Sequence, residues 1–306
     1  MALENFSFCV VVDWIEVRVT TATPTQARHI RARMSNLWGR NVFVHPERTG
    51  NSQNALSFRF RIQEPGSPGH TEALLAQVGL GAAHVEILAA EVAMDLYAKS
   101  DCTRAELAEA AFHLHTHQKA PAPGSARLAR PDRVGSAVMV PRAIETLAGL
   151  VEGYTVHMGE TRAGREDLFA FRWYVKMHDT RPHGIPHSPL PQAEHRARME
   201  VQLYGELCPF NTLATWRTFR FETLSRYFAQ VERRPVPPDL PAANMQMLEV
   251  LKTSGYGIRL GVPADPYKAA LHRRQGWRRT RADSVLNRRI HDALRALTRA
   301  TKRASA

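Results

Sequence analysis

The chain has 306 residues, and 44% of them are hydrophobic, which is enough for a buried core and excludes a largely disordered chain. Its 41 Lys and Arg outnumber its 29 Asp and Glu, and the formal net charge of +12 favours a polyanion as partner. No apolar run approaches the roughly 18 to 20 residues that a membrane helix needs, and three widely spaced cysteines argue against a disulfide framework. We therefore expect a protein that is neither exported nor inserted in a membrane.

The first part of the chain predicts strands alternating with helices. Period-two alternation predicts strands over residues 6–20, 55–62 and 90–97. Helices are expected over residues 23–39, capped by Thr23, and over residues 71–81. A further helix is expected over residues 103–117, because Thr103 and Glu106 have the spacing of a capping box.

The second part predicts a hairpin, a strand and two helices. The hairpin is expected over residues 153–179, the strand over 195–205 and the first helix over 215–234. The proline-rich stretch 234–241 marks a domain boundary near residue 235. Beyond it, Asp283 or Ser284 can cap a basic amphipathic helix.

These elements predict an α+β fold. We expect a mainly antiparallel sheet of about five strands with helices on one face, followed by a basic helical segment. The corresponding domains are residues 1–235, which would carry the reactive site, and residues 236–306, which would bind DNA.

One predicted strand carries a phenol between two cations. Arg172, Tyr174 and Lys176 share one face of that strand, because side chains alternate with period two. Flanking cations lower the pKa of a tyrosine and neutralise charge on phosphorus, so this pattern suits attack on a phosphodiester. An aromatic side chain on a solvated basic strand explains the same pattern.

Acidic residues lie within predicted strands that are otherwise apolar. Glu91 and Asp95 share a strand face, and Glu200 lies on another strand. Hard carboxylate oxygens suit Mg²⁺ or Mn²⁺, which would polarise a phosphate. Salt bridges to Arg172 or Arg198 would account for these acids equally well.

The C-terminal part concentrates the positive charge. From residue 272 onward, eleven Lys and Arg face two Asp, a net of +9 that leaves 12 − 9 = +3 for the rest of the chain. Such one-sided charge favours contact with DNA or RNA phosphates over a merely soluble helix. The predicted contacts are Arg273, Arg274, Arg278, Arg279, Arg281, Arg288 and Arg289.

The stretch His113-Leu-His115-Thr-His117 has the composition of a metal site. However, the residues leading into it predict a helix, in which residues i and i+2 point in different directions. A solvated helix end, with histidines complementing the helix dipole, is the favoured interpretation.

Four short blocks occur in an order that is itself informative. They read VVVDWIEVRV, AAEVAMDLY, GYTVHMGETRAGREDLFAFRWYVKMHD and RARMEVQLYGE, between residues 10 and 206. In this order they resemble the rolling-circle replication initiators of the Rep_trans type, found in small bacterial plasmids and some phages.

The resemblance implies a role for each matching residue. Tyr174 corresponds to the nicking nucleophile, with Arg172 and Lys176 beside it. Arg198 corresponds to the arginine of the last block and is expected to contact DNA. The metal-coordinating acids would be Glu91, Asp95 and Glu200, holding Mg²⁺ or Mn²⁺.

The implied activity is metal-dependent nicking and rejoining of one DNA strand at an origin through a phosphotyrosine intermediate. The partner would be single-stranded or supercoiled origin DNA in the bacterial cytoplasm, and a host helicase and a homodimer stay open as further partners. Two alternatives remain: a non-catalytic DNA-binding regulator on the same scaffold, and a histidine-ligated nicking enzyme that depends on His113 and His115.

Overall fold

A computed structural model gives the structure of the protein. It describes residues 3–38, 42–47, 52–80, 84–119, 126–129, 137–139, 155–158, 169–179, 188–233 and 280–304. No helix in these ranges is both long and apolar enough to cross a membrane.

Strands supply most of the regular structure. They are β1 (Phe6–Thr25), β2 (Val44–Glu47), β3 (Ala55–Gln63), β4 (His84–Ala98), β5 (Ala126–Ala129), β6 (Ala137–Met139), β7 (Thr155–Met158), β8 (Phe169–Lys176), β9 (His178–Asp179), β10 (Ser188–Pro189), β11 (Arg196–Tyr204), β12 (Val231–Arg233) and β13 (Thr280–Ala282). The helices are α1 (Ala27–Trp38), α2 (Pro68–Gln77), α3 (Arg104–Thr116), α4 (Leu213–Thr218), α5 (Ser225–Phe228) and α6 (Ser284–Arg303).

Nine of the described strands form one antiparallel sheet in the order β2-β3-β1-β4-β11-β8-β7-β5-β6. Its centre consists of β3, β1, β4, β11 and β8, and the sheet is larger than the about five strands expected. The predicted α+β class is confirmed, and so is the hairpin, since β7 pairs with β8.

The two faces of the central sheet differ in chemistry. On one face, Val12, Val92, Val201 and Phe171 lie side by side in register across four strands and are buried. Helices cover this face: apolar side chains of α1, α3 and α6 belong to the same hydrophobic core. The opposite face carries polar and charged residues at the alternating positions.

Helix α3 begins as its sequence predicts. Thr103 and Glu106 form a complete capping box at its start. Helix α6 is capped by Asp283, whose side chain accepts a hydrogen bond from the Leu286 amide at 2.8 Å. Both caps satisfy backbone donors that the helix cannot pair internally.

Three predicted helices have other bounds in the structure. Helix α2 spans Pro68–Gln77 where the sequence predicts 71–81, because Ser67 caps it one turn earlier. Thr23 lies in β1, which continues to Thr25, so α1 begins only at Ala27. The single helix predicted over 215–234 is wrong: α4 ends at Thr218, a 3₁₀ turn and the short α5 follow, and β12 closes the segment. Extended backbone at Phe219 interrupts the helix and lets its ring pack edge-on against Phe221 in the core.

Helix α6 packs against the sheet. Its buried side chains Leu286, Ile290 and Leu294 join the hydrophobic core, and α6 contacts β1. The division near residue 235 stays a prediction, because residues 234–279 lie outside the described part of the chain.

Thr298 joins α6 to the 3₁₀ turn at residues 221–224. Its buried hydroxyl accepts a hydrogen bond from the Phe221 amide at 2.9 Å and donates one to Glu222 at 2.7 Å. We expect Thr298→Val to lower the free energy of unfolding by about 1 to 3 kcal/mol, because a buried backbone amide loses its acceptor. Urea denaturation measures this, and Thr218→Val, at an exposed threonine, should change it by less than about 0.5 kcal/mol. Equal effects of the two substitutions would contradict the prediction.

Candidate active site

Strand pairing brings the charged residues of the polar face together. Asp95 of β4, Arg198 of β11 and Tyr174 of β8 lie opposite one another in register. In the neighbouring row Glu200 lies opposite Arg172. Residues directly opposite in adjacent strands point to the same face, so these five side chains share one surface.

Asp13 reaches this surface through a β-bulge. Val12 pairs with Val92 and Trp14 pairs with Glu91, which leaves Asp13 as the extra residue of β1. A bulge redirects side chains, and here the Asp13 carboxylate lies beside the acids of the neighbouring strands.

Asp13, Glu91 and Glu200 form a compact acidic group. One carboxylate oxygen from each lies within 4.8 Å of the others. Glu91 and Glu200 are fully buried, and Asp13 is partly buried. Burial, with the charge of Glu200, raises the pKa of Glu91 to about 8 against the opposing effect of Arg172, so Glu91 carries a proton at neutral pH. For Asp13, burial acts to raise the pKa, but the charges of Arg198 and Lys176 outweigh it and hold that pKa below its usual value.

The Arg172 guanidinium lies between two of these acids. Its Nη2 donates to Oε2 of Glu91 at 2.5 Å, and its Nε lies 2.6 Å from Oε2 of Glu200. Burial acts to lower the pKa of Arg172, but the two carboxylates outweigh it and raise that pKa above its ordinary value. Arg172 is therefore a permanent cation within the acidic group.

Arg198 holds a different pair of acids. It makes a two-point contact with Asp95, from Nε to Oδ1 and from Nη2 to Oδ2, both at 2.6 Å, and its Nη1 donates to Asp13 at 2.6 Å. The Nε of Arg196 lies 3.2 Å from Asp95 as well. Asp95, predicted as a metal ligand, thus lies outside the acidic group, and its oxygens are bound by arginine.

The Tyr174 hydroxyl is hydrogen-bonded directly to the acidic group. Its hydroxyl donates to Oε1 of Glu200 at 2.6 Å. Burial and the charge of Glu200 raise the pKa of Tyr174 well above its ordinary value, although Arg198 and Arg172 act against this. The phenol is therefore protonated in the unliganded protein, and its proton already points at a carboxylate.

Lys176 lies one row away on the same face, as alternation predicts. Its side chain is 10% exposed, and its Nζ is 3.9 Å from Asp179, too far for a hydrogen bond. A cation held this way has spare capacity for an anion near Tyr174.

The acidic group suits a divalent cation. Carboxylate oxygens are the ligands that Mg²⁺ and Mn²⁺ prefer. Among the described residues, Oε1 of Glu91 is buried and accepts no hydrogen bond. The proton of Glu91 is shared with Asp13 in a side-chain hydrogen bond that helps to lower the pKa of Asp13, and a cation bound to the acidic group would replace that proton.

Sequence reasoning did not select Asp13 as a ligand. The aspartate belongs to the first of the four ordered blocks, VVVDWIEVRV, which is the signal that could have identified it. Regular alternation cannot reveal a bulge, so the block alone does not show on which face Asp13 lies.

The histidines of α3 lie apart from the acidic group. His113 stacks on His117 one turn along, at 3.8 Å between ring centroids. The buried His115 packs on Trp173, 4.7 Å between ring centroids, and Trp173 neighbours Arg172 and Tyr174 in β8 but points to the apolar face. The expectation that His113 and His115 point apart on a helix is confirmed, but the expected solvated helix end is wrong for His115, whose side chain is buried.

The arginines predicted to contact DNA have different environments in the structure. Arg273, Arg274, Arg278 and Arg279, and the side chain of Arg281, lie outside the described residues. Arg288 is exposed on α6. Arg289 instead packs inward: it donates to the carbonyl oxygens of Leu3 and Phe6 and lies over the Phe8 ring. Its charge is therefore used within the fold. Arg198, also predicted to contact DNA, is buried and bound to Asp95 and Asp13, so its charge is used within the fold as well.

The fold and site define an antiparallel α+β protein in which a tyrosine is hydrogen-bonded to one of a group of buried carboxylates. No protein-family model matches the chain, and no curated protein matches it. Among solved structures, the chain is similar to a rolling-circle replication initiator protein from Geobacillus stearothermophilus, at 11% sequence identity and a TM-score of 0.32. The alignment covers 76% of this chain and 89% of that one. At that TM-score the likeness does not bear on function, which is argued from the site.

Proposed function

We propose that the protein is a metal-dependent DNA-nicking and rejoining enzyme that initiates rolling-circle replication, with Tyr174 as nucleophile. The observation that carries this proposal is the 2.6 Å hydrogen bond from the Tyr174 hydroxyl to Glu200, inside a group of three carboxylates that lie close together. The four ordered sequence blocks support the choice of DNA and of this reaction.

The reaction is a transesterification. The Tyr174 oxygen bonds to phosphorus while its proton passes to Glu200, which already accepts it as a hydrogen bond. The bond from phosphorus to the 3′ oxygen breaks, and that oxygen takes up one proton to become a free 3′ hydroxyl. The 5′ phosphate stays linked to Tyr174, and attack by a 3′ hydroxyl reverses the step.

Asp13, Glu91 and Glu200 would hold the divalent ion. When bound, Mg²⁺ or Mn²⁺ supplies positive charge to the phosphate oxygens and so favours attack. Lys176 and Arg172 would neutralise charge on the same phosphate. With Glu91 ionised by the bound cation, the four acids and four cations described in this part of the face would cancel in charge, namely Asp13, Glu91, Asp95, Glu200, Arg172, Lys176, Arg196 and Arg198. A divalent ion would therefore leave a net positive site suited to DNA.

The proposed duplex contact uses the outer side of α6. Its exposed cations Arg288, Arg295, Arg299 and Lys302 follow the helical spacing i, i+7, i+11 and i+14 and form one stripe. The apolar side of α6 is buried in the core, so only this charged side is available to a phosphate backbone.

One observation favours the alternative of a non-catalytic DNA-binding regulator. Every acid of the site faces an arginine, and a structural ion-pair network also perturbs pKa values. In that case the site would stabilise the sheet, and DNA would contact only basic surfaces.

The deciding experiment is a cleavage assay. Purified protein is incubated with supercoiled plasmid and single-stranded oligonucleotides from its own genetic neighbourhood, with Mn²⁺ or with EDTA, and the products are separated under denaturing conditions. We expect a nicked product and a covalent protein–DNA adduct in the presence of Mn²⁺, and neither product in the presence of EDTA. Salt-sensitive binding without any adduct would favour the regulator.

Arg172 gives a prediction about metal affinity. Because its guanidinium occupies the space between Glu91 and Glu200, we expect Arg172→Gln to bind Mn²⁺ on the order of tenfold more tightly. Isothermal titration calorimetry measures the Mn²⁺ affinity. The control is Lys176→Gln, which removes an equal charge from a residue that has no described contact with Glu91 or Glu200. Equal gains in the two variants would mean that only net charge matters, and no gain would contradict the competition.

A further inference from the structure

Glu91 is held by a residue that the proposed reaction does not otherwise use. Gln202 lies opposite Glu91 in register and is 4% exposed. Its Nε2 donates to Oε2 of Glu91 at 2.5 Å. On the outer side its Oε1 accepts a hydrogen bond from the Tyr204 hydroxyl at 2.6 Å.

This chain of hydrogen bonds has a fixed direction. Burial raises the pKa of Tyr204 to about 12 despite the nearby Arg61, so its hydroxyl keeps its proton and donates. The Gln202 carbonyl is thereby engaged, and its amide nitrogen must face Glu91. A reversed amide would place two acceptors, the Gln202 oxygen and Oε2 of Glu91, against each other.

These hydrogen bonds determine the orientation of the Glu91 carboxylate. Gln202 and Arg172 both donate to Oε2, which fixes the plane of the carboxylate and leaves Oε1 as the oxygen of Glu91 that accepts no hydrogen bond from the described residues. Asp13 and Glu200 each bring a carboxylate oxygen close to Glu91. Partners that orient a ligand from behind commonly contribute 10- to 100-fold in metal affinity.

We propose that Gln202 and Tyr204 are positioning residues that present Oε1 of Glu91 as a single-oxygen metal ligand. This inference rests on the proposed function, because it assumes that the acidic group binds a divalent ion. Tyr204 is half-buried, so the chain extends from the edge of the polar face to the ligand. Neither residue was selected from the sequence, where Gln202 counted only as a polar position of an alternating strand.

The test measures Mn²⁺ affinity by electron paramagnetic resonance of the free ion, without DNA. We expect Gln202→Leu to weaken binding about 10- to 100-fold and Tyr204→Phe to weaken it several-fold. The matched control is Gln118→Leu, since Gln118 is equally buried but donates to the Tyr227 carbonyl. It should lose stability without losing Mn²⁺ affinity.

The outcomes separate the two proposals. Mn²⁺ binding by the unmodified protein, with equal affinity in Tyr204→Phe and Gln202→Leu, would overturn the positioning role and leave the metal site in place. Absence of Mn²⁺ binding in the unmodified protein would overturn both. If Gln202→Leu fails to fold, Tyr204→Phe decides the matter, because it removes only a hydroxyl from a half-buried ring.

Discussion

Replacement of Tyr174 by Phe is expected to abolish the covalent protein–DNA adduct, a loss of more than about a thousandfold in cleavage. The substitution removes the only atom that would bond to phosphorus and keeps the ring. Glu200 loses one hydrogen bond but keeps Arg172 at 2.6 Å and Arg198 at 3.6 Å, so the free energy of unfolding should fall by only about 1 kcal/mol. Loss of activity would then be chemical and not a loss of fold.

The control is a tyrosine on the same face with another environment. Tyr97 lies in β4 under the Arg196 guanidinium, 5.3 Å from its ring centroid, and has no contact with Glu200 among the described contacts. Tyr97→Phe should form the adduct at the normal rate, and DNA affinity should be unchanged in both variants. An adduct that survives in Tyr174→Phe, or a phosphotyrosyl peptide that maps to another tyrosine, would exclude Tyr174 as nucleophile.

The environment of Tyr174 also indicates what would have to change for the proposed attack on phosphorus. In the unliganded protein its pKa is well above the ordinary value, mainly because of burial and the charge of Glu200. An attacking phenolate therefore needs added positive charge near the hydroxyl. A divalent ion on the acidic group, with Arg172 moved toward the phosphate, would reverse the sign of that local charge.

Much of the fold follows from the sequence, for a simple reason. In β4, β8 and β11 one face is apolar and the other polar, and alternation with period two records this directly in Arg172, Tyr174 and Glu200. The start of helix α3 is equally predictable from the sequence, because Thr103 and Glu106 satisfy each other's backbone donors. Such local chemistry is independent of how the chain packs.

Other features depend on contacts between distant segments. The bulge that places Asp13 in the acidic group depends on pairing with β4, about 80 residues away, and so leaves no periodic trace in β1. Asp95 and Glu91 lie on the same face of β4, and each is bound by an arginine, but only Glu91 also lies in the group with Asp13 and Glu200. Sequence spacing cannot distinguish a scaffold carboxylate from a ligand, because the difference lies in the partner strand.

Arg198→Met is expected to lower the free energy of unfolding by about 3 to 5 kcal/mol, because it leaves buried carboxylates without their partner. Asp95 loses both of its 2.6 Å contacts with Arg198, and Asp13 loses one. Arg196 remains 3.2 Å from Asp95, which favours the lower end of this range. Urea denaturation measures the change. Arg18→Met is the control: its ion pairs with Glu47 and Glu86 are partly exposed to solvent, and their loss should cost about 1 kcal/mol.

A double substitution then separates scaffold from ligand at Asp95. Replacing the pair together, as Asp95→Leu with Arg198→Met, removes both buried charges and should recover much of the lost stability. If Asp95 serves only to hold Arg198, the double variant should bind Mn²⁺ with nearly normal affinity, since Asp13, Glu91 and Glu200 remain. If Asp95 is itself a ligand, as the sequence resemblance implies, Mn²⁺ affinity will fall even though the sheet is stable, and the acidic group must then rearrange when it binds the ion.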